Sequence, residues 1–324
     1  MESKYEKPAT EQSGCGASKI VKHQDKARVL EKVSLGVALM FGVYWLYAYF
    51  LQDRLDLPAG VEKVLGLVSL YVVGLGLFVL MIKGIPGGAC EFHKMADGRR
   101  DSGSVREGQG ECGKFSGKQF LLCFLLQFSA IMIMSVLVNV LGVFGIEVAT
   151  TQIDAVSPYM LFMLLIFNPI AEEFVFRKLF ADKLLKYGQR FYVLTSAFCF
   201  AIVHGVSLGI PQVIYTFILG LIWGYVMAKT GDFKLVVLLH ALSNLFGGVL
   251  LQLFMGIAMP LAGIYSILLM ATGAVGLSIF MANRKKVELD GTPGLIKAEV
   301  LKSIFSNRGV WVYVVLTVVV MMVK

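Results

Sequence analysis

The fold is decided by long apolar stretches, the clearest of which is residues 119–141, QFLLCFLLQFSAIMIMSVLVNVL. This stretch has no charged side chain, and as a helix it is long enough to cross the ~30 Å hydrocarbon core of a bilayer. Similar runs recur along the 324 residues, of which 57% are hydrophobic and only 16% are charged. Soluble domains carry about 25% charged residues. The composition therefore excludes a soluble globular protein and predicts an integral membrane protein.

Apolar runs of this kind predict nine candidate spans. They lie at 33–52, 64–82, 119–141, 158–171, 191–206, 210–228, 233–254, 257–282 and 309–323. Because the last run is short, the predicted fold class is an all-α polytopic transmembrane helical bundle of about eight to nine spans. The predicted organisation is a polar cytoplasmic tail (1–32), two N-terminal spans (33–82), a mobile cytoplasmic loop (83–118), a membrane-embedded core (119–282), a second cytoplasmic loop (283–308) and a C-terminal apolar segment (309–324).

The basic residues predict the orientation, since loops rich in Lys and Arg stay on the cytoplasmic side. With a cytoplasmic N-terminus, 27 of the 30 basic residues fall on that side of the membrane. The net charge of +8 then suits an anionic inner leaflet and gives no reason to expect a nucleic-acid partner. We expect the protein in the cell membrane, with its N-terminus and large loops in the cytoplasm.

The sixth predicted span contains a pair of glycines four residues apart, Gly220 and Gly224, in the sequence GLIWG. Small residues at this spacing let a neighbouring helix approach closely. We interpret the pair as a packing feature.

Ionisable residues within spans are costly and are by default candidates for function. The chain has one adjacent pair of acidic residues, Glu172 and Glu173, and two of its four histidines, His204 and His240, lie in apolar runs. In a helical hairpin turning near Gly188, the first glutamate precedes the turn by 16 residues and His204 follows it by 16. At ~1.5 Å per residue both would lie about 24 Å from the tip, at one depth.

His240 follows a second turn near Gly231 by nine residues, and Asn244 lies one helical turn deeper on the same face. These polar groups are therefore predicted to converge in the cytoplasmic half of the bilayer. Each has a simpler interpretation by itself: an intramembrane His can be a hydrogen-bonded packing residue, and an Asn can hold two helices together. Their common depth favours a functional site over these separate interpretations.

The two adjacent glutamates are expected to differ in role. Glu173 and Arg177 have the i, i+4 spacing of a helix ion pair, so we predict a structural role for both, next to the site. Glu172 points about 100° away around the helix and is the candidate general base that takes a proton from water.

Three motifs of this region, EEFVFR (172–177), FAIVH (200–204) and HALSN (240–244), resemble those of the CPBP family of intramembrane proteases. That family includes the type II CAAX prenyl endopeptidases and the bacterial Abi, or bacteriocin-immunity, proteins. The resemblance covers roughly 158–250 and leaves out the first two spans and the 83–118 loop. It departs from the family at Lys178, where a Gly is common.

The resemblance implies a membrane endopeptidase, glutamate-dependent or metal-dependent, whose partners are the lipid bilayer and a peptide or membrane-protein substrate. It implies that Glu172 and His204 activate water, and that His240 and Asn244 stabilise the oxyanion or bind a metal. No cofactor is established by the sequence. Glu172, His204 and His240 would supply the three protein ligands of a catalytic zinc site if the enzyme were a metalloprotease.

Two other functions stay open at this point. A catalytically silent membrane protein could confer immunity by binding a peptide or partner in the same pocket. A proton-coupled transporter could also use intramembrane Glu and His. The single depth of the polar groups speaks against a transporter, because a proton relay needs groups spaced across the bilayer.

Overall fold

The computed structural model describes residues 12–87, 115–146, 148 and 154–323. Parts of two predicted segments, 1–11 of the tail and 88–114 of the cytoplasmic loop, lie outside the described residues, as does residue 324. The described chain is helical almost throughout, which confirms the all-α prediction.

Within the described residues there are ten main helices and one β-hairpin. In chain order they are α1 (Gln12–Leu46), α2 (Ala59–Ile82), α3 (Gly117–Val143), α4 (Pro158–Tyr187), α5 (Gln189–Leu208), α6 (Ile210–Thr230), α7 (Phe233–Ile257), α8 (Met259–Asn283), β1 (Glu288–Leu289), β2 (Thr292–Pro293), α9 (Ala298–Phe305) and α10 (Arg308–Val323). A π-helical turn at Tyr47–Leu51 and a short helix at Gln52–Leu55 continue α1.

Eight of the described helices are long and apolar enough to cross a membrane, and a ninth span is obtained if α9 and α10 count as one. This agrees with the predicted eight to nine spans. The axes of α9 and α10 differ by 70°, and α10 alone has 16 residues. At ~1.5 Å per residue, α10 extends only about 24 Å, which is short of a full bilayer core.

The centre of the bundle is the helical hairpin of α4 and α5 with α6 packed against it. The hairpin turns at Gly188, whose φ of 118° is one that side-chain-bearing residues avoid. A Cβ atom on Gly220 of α6 would lie 2.8 Å from the Cα atom of Ala197 on α5. The glycine is therefore needed for the close approach of α5 and α6, as its spacing to Gly224 predicts.

The last helix and the β-hairpin are tied to this centre by polar contacts. The Tyr313 hydroxyl on α10 donates to the Cys199 carbonyl on α5 at 2.7 Å. Arg190, at the start of α5, is almost fully buried, and its guanidinium donates to the carbonyls of Leu289, Thr292 and Gly294. The predicted 283–308 loop thus contains an ordered hairpin, in which Glu288 pairs with Pro293 and Leu289 with Thr292, followed by α9.

Candidate active site

Three of the predicted site residues meet at one carboxylate oxygen. Glu172 on α4 places its Oε2 atom 3.7 Å from the Nε2 atom of His204 on α5 and 3.8 Å from the Nε2 atom of His240 on α7. About a fifth of the Glu172 side chain is exposed, whereas His240 is nearly buried. The structure therefore brings together three side chains that counting along the sequence puts at one depth.

The adjacent glutamate has a different environment. Glu173 is fully buried, with its Oε2 atom 3.0 Å from Nε of Arg177 and its Oε1 atom 2.9 Å from Nδ1 of His240. Arg177 is also fully buried, and its guanidinium carbon lies 4.5 Å from the centre of the Phe200 ring. A buried charge is tolerated when it is paired, and a cation over an aromatic face is stabilised further. Glu173 thus links the Arg177 charge to the ring of His240.

The hydrogen bonds of the two histidines indicate their tautomers. Nδ1 of His204 lies 2.7 Å from the carbonyl oxygen of Phe200, which can only accept, so Nδ1 carries the hydrogen. Nδ1 of His240 faces the Glu173 carboxylate and donates in the same way. In the neutral rings both Nε2 atoms are then acceptors, and both face Glu172.

His240 is held by an aromatic contact that the sequence analysis missed. Its ring stacks on Trp223 of α6, with centroids 4.2 Å apart and an angle of 21° between the planes. The Trp223 indole N–H donates to Oε1 of Gln127 on α3 at 3.0 Å, and both side chains are buried. The signal available in the sequence was Gln127 itself, a polar residue inside the otherwise apolar 119–141 stretch, but nothing in the sequence identified Trp223 as its partner.

Asn244 makes a structural contact. Its Nδ2 atom donates to the carbonyl oxygen of Leu164 on α4 at 2.8 Å. Leu164 lies in a π-helical turn, Met163–Phe167, where a carbonyl accepts from the amide five residues later. For Leu164 that residue is Pro169, which has no amide hydrogen. Asn244 thus donates the hydrogen bond that the helix itself cannot give to the Leu164 carbonyl. No described contact joins Asn244 to Glu172 or to either histidine.

Further π-helical turns flank the site. Phe174–Leu179 directly follows Glu173, and Leu245–Val249 directly follows Asn244. Such turns insert an extra residue into a helix, shift the face that its side chains present, and are frequent at functional sites. The simple 3.6-residue periodicity used to assign side chains to helix faces therefore holds only between these turns.

A cavity of about 290 Å³ opens beside Glu172 and His204. One wall comes from α1, the turn that follows it, and α2, and it is rich in aromatic side chains: Phe41, Tyr44, Trp45, Tyr49 and Tyr71. The first two spans carry no part of the motif resemblance, so their place at the site is a finding of the structure. The cavity gives Glu172 an apolar approach path from the side of α1 and α2.

The donor set of Glu172, His204 and His240 has the right chemistry for zinc, and each histidine has its other ring nitrogen hydrogen-bonded, as metal ligands usually do. The spacing fits less well. Tetrahedral ligands at about 2.1 Å from zinc lie about 3.4 Å apart, closer than the 3.7 and 3.8 Å found here. No group of three His, Cys, Asp or Glu among the described residues is arranged to hold a metal ion. The three side chains thus have the chemistry of zinc ligands but stand slightly farther apart than the ligands of an ideal tetrahedral site.

Comparison with known proteins gives one family. Residues 154–246 match the model of the "Type II CAAX prenyl endopeptidase Rce1-like" family. The matched segment contains the three motifs and all six predicted site residues. Searches of curated proteins and of solved structures gave no match.

The matched family implies an intramembrane protease with a peptide substrate in a membrane setting. The description of the match names neither the Abi proteins nor a metal. Over residues 154–246 the chain is thus similar to the Rce1-like type II CAAX prenyl endopeptidases, which confirms the CPBP resemblance of its motifs.

Proposed function

We propose that the protein is an intramembrane endopeptidase that uses Glu172 and His204 to activate a water molecule, close to the cytoplasmic face of the cell membrane. The observation that carries the proposal is the convergence of two imidazole Nε2 atoms on one carboxylate oxygen at 3.7 and 3.8 Å. These gaps are too wide for direct hydrogen bonds and are suited to a bridging water.

The proposed reaction needs no group beyond these side chains and water. The Glu172 carboxylate takes one proton from the water while the water oxygen attacks the carbonyl carbon of the peptide bond. Nε2 of His204 accepts a hydrogen bond from the other O–H of the water. Glu172 then gives this proton to the leaving nitrogen as the carbon–nitrogen bond breaks. The products are a carboxylic acid and an amine, and transfer of the carboxyl proton to the amine or to solvent leaves a carboxylate.

His240 is the proposed donor to the oxyanion of the tetrahedral intermediate. Because Nδ1 of its ring faces the Glu173 carboxylate, a positive charge on this imidazole is compensated within 2.9 Å. A protonated His240 can donate from Nε2 towards the place where negative charge develops. Stacking on Trp223 fixes the direction of that donor. We assign Asn244 a supporting role, because its amide already holds the Leu164 carbonyl.

The proposal is tested by comparing the peptides released in membranes containing the wild-type protein or Glu172→Gln. The control is Glu299→Gln, which makes the same change at an exposed position on α9. We expect a set of cleavage products that is present with the wild type and the control and absent with Glu172→Gln. Metal analysis of the purified protein is carried out in parallel. If the wild type releases no such products, and if Glu172→Ala and His204→Ala both leave the biological phenotype intact, the protein acts by binding, as a silent immunity protein would.

A further inference from the structure

A second cavity, of about 690 Å³, lies between α3, α6 and α8. It shares no lining residue with the cavity at Glu172. Its volume is in the range of pockets that hold small organic ligands. We call it the α3 groove, because α3 lines it over the longest distance.

The α3 groove is long and apolar. On α3 its lining residues include Lys118, Leu122, Leu126, Ser129 and Ile133, at spacings of three and four residues that place them on one face of the helix. From the first to the last of these is 15 residues, or about 22 Å along the helix axis. The facing wall belongs to α6, with the aliphatic residues Ile218, Leu221 and Ile222 and, beyond them, Tyr225.

Beside the groove, α3 and α8 are in tight contact. A Cβ atom on Gly273 would lie 2.5 Å from the Phe128 carbonyl oxygen, and one on Gly276 would lie 2.8 Å from the Leu125 carbonyl carbon. The Ser129 hydroxyl donates to the Gly273 carbonyl at 2.7 Å, so the one polar side chain at the deep end already has a partner. The deep part of the groove therefore offers contacts suited to a hydrocarbon chain.

One end of the groove is polar and positive. The first turn of α3 and the last turns of α8 meet there, and they bring Ser116, Lys118, Asn283 and Lys286 to the mouth. Both lysines are exposed, and neither forms an ion pair with a described residue. Arg284 and Lys285 add positive charge beside Lys286. This end is also on the predicted cytoplasmic side, where the anionic leaflet lies.

We propose that the α3 groove binds one acyl chain of an anionic phospholipid, with the lipid phosphate held between Lys118 and Lys286. The dimensions agree with this occupant. Half of a ~30 Å hydrocarbon core is about 15 Å, which leaves about 7 Å of the ~22 Å groove for the head group. A single-chain groove with a cationic mouth selects for head-group charge, whereas ordinary lipid contact on an apolar helix face does not.

The test uses the purified full-length protein in detergent, with native mass spectrometry to count bound lipids. The lipids are phosphatidylglycerol and phosphatidylcholine with the same pair of acyl chains. For the wild type we expect one retained phosphatidylglycerol and at least about a tenfold preference for it over phosphatidylcholine. Lys118→Ala combined with Lys286→Ala should reduce this preference to about twofold or less.

The matched control removes two exposed lysines that do not line the groove, Lys297→Ala with Lys302→Ala, and should keep the preference. Leu126→Trp, which fills the groove, should lower the retention of both lipids while the melting temperature shows that the protein is folded. Equal retention of the two lipids by the wild type, or an equal loss in the lysine control, would overturn the proposal. Displacement of the bound lipid by inorganic phosphate alone would also overturn it, because the groove would then be a phosphate site.

Discussion

The buried ion pair next to the site gives the strongest stability prediction. Replacing Glu173 by Leu leaves Arg177 with a charge that is fully buried and has lost its carboxylate at 3.0 Å. Removing one partner of a buried pair costs about 3–5 kcal/mol. We therefore expect the free energy of unfolding to fall by about that amount, measured by chemical denaturation in detergent micelles with circular dichroism as the signal. The exposed control Glu299→Leu should change it by less than about 0.5 kcal/mol.

A second substitution separates charge from packing. Combining Glu173→Leu with Arg177→Met removes both charges, and such replacements of buried pairs are often neutral. We expect the double variant to recover most of the lost stability. A single variant that loses less than about 1 kcal/mol, or a double variant no more stable than the single one, would refute the argument from burial.

The same double variant should be folded but weakly active. His240 would keep its stacking on Trp223 but lose the carboxylate that accepts from Nδ1 at 2.9 Å. A hydrogen bond to a charged group contributes about 1.5–3 kcal/mol, which corresponds to roughly a 10- to 150-fold lower rate if it acts in the transition state. Peptide hydrolysis under single-turnover conditions measures this loss.

Three further predictions concern the scaffold. Gly220→Val should lower the free energy of unfolding by about 1–3 kcal/mol, because α5 and α6 touch there. Gly248→Ala should not lower it, because a Cβ atom at residue 248 has no atom of another helix within 4 Å. Asn244→Leu should lower the free energy of unfolding by about 1–3 kcal/mol, because the Leu164 carbonyl loses its hydrogen-bond donor. Adding Pro169→Ala to that variant should restore the stability, because residue 169 then has an amide hydrogen to donate. Arg190→Ala should detach the β-hairpin, seen as faster proteolysis within residues 287–297.

The sequence predicts the fold well because the membrane imposes a simple rule. Each span must be a predominantly apolar helix of about 20 residues, so 119–141 and its counterparts can be recognised without any tertiary information. The site follows from the same rule. Charged and imidazole side chains are rare in spans, and counting from the turns at Gly188 and Gly231 places Glu172, His204 and His240 at one depth. The cytoplasmic position of the N-terminus stays a prediction.

The remaining features depend on contacts between distant parts of the chain. No local pattern relates Trp223 to Gln127, which are 96 residues apart. The Leu164 carbonyl lacks a donor within the helix, and so accepts from Asn244, only because α4 forms a π-helical turn there. The sequence does not reveal that turn. The aromatic wall from α1 and α2 likewise follows from how the first two spans pack beside α4 and α5. These are properties of tertiary packing, which overrides local pattern.

The central claim is that Glu172 is the base that activates water. The most direct measurement is the single-turnover rate of peptide hydrolysis by purified, reconstituted Glu172→Gln, compared with the wild type and with Glu299→Gln. General base catalysis contributes about 10²–10⁴-fold, so the rate should fall by that factor in Glu172→Gln and stay unchanged in the control. A Glu172→Gln protein that is folded and hydrolyses peptide within twofold of the wild-type rate would contradict the assignment.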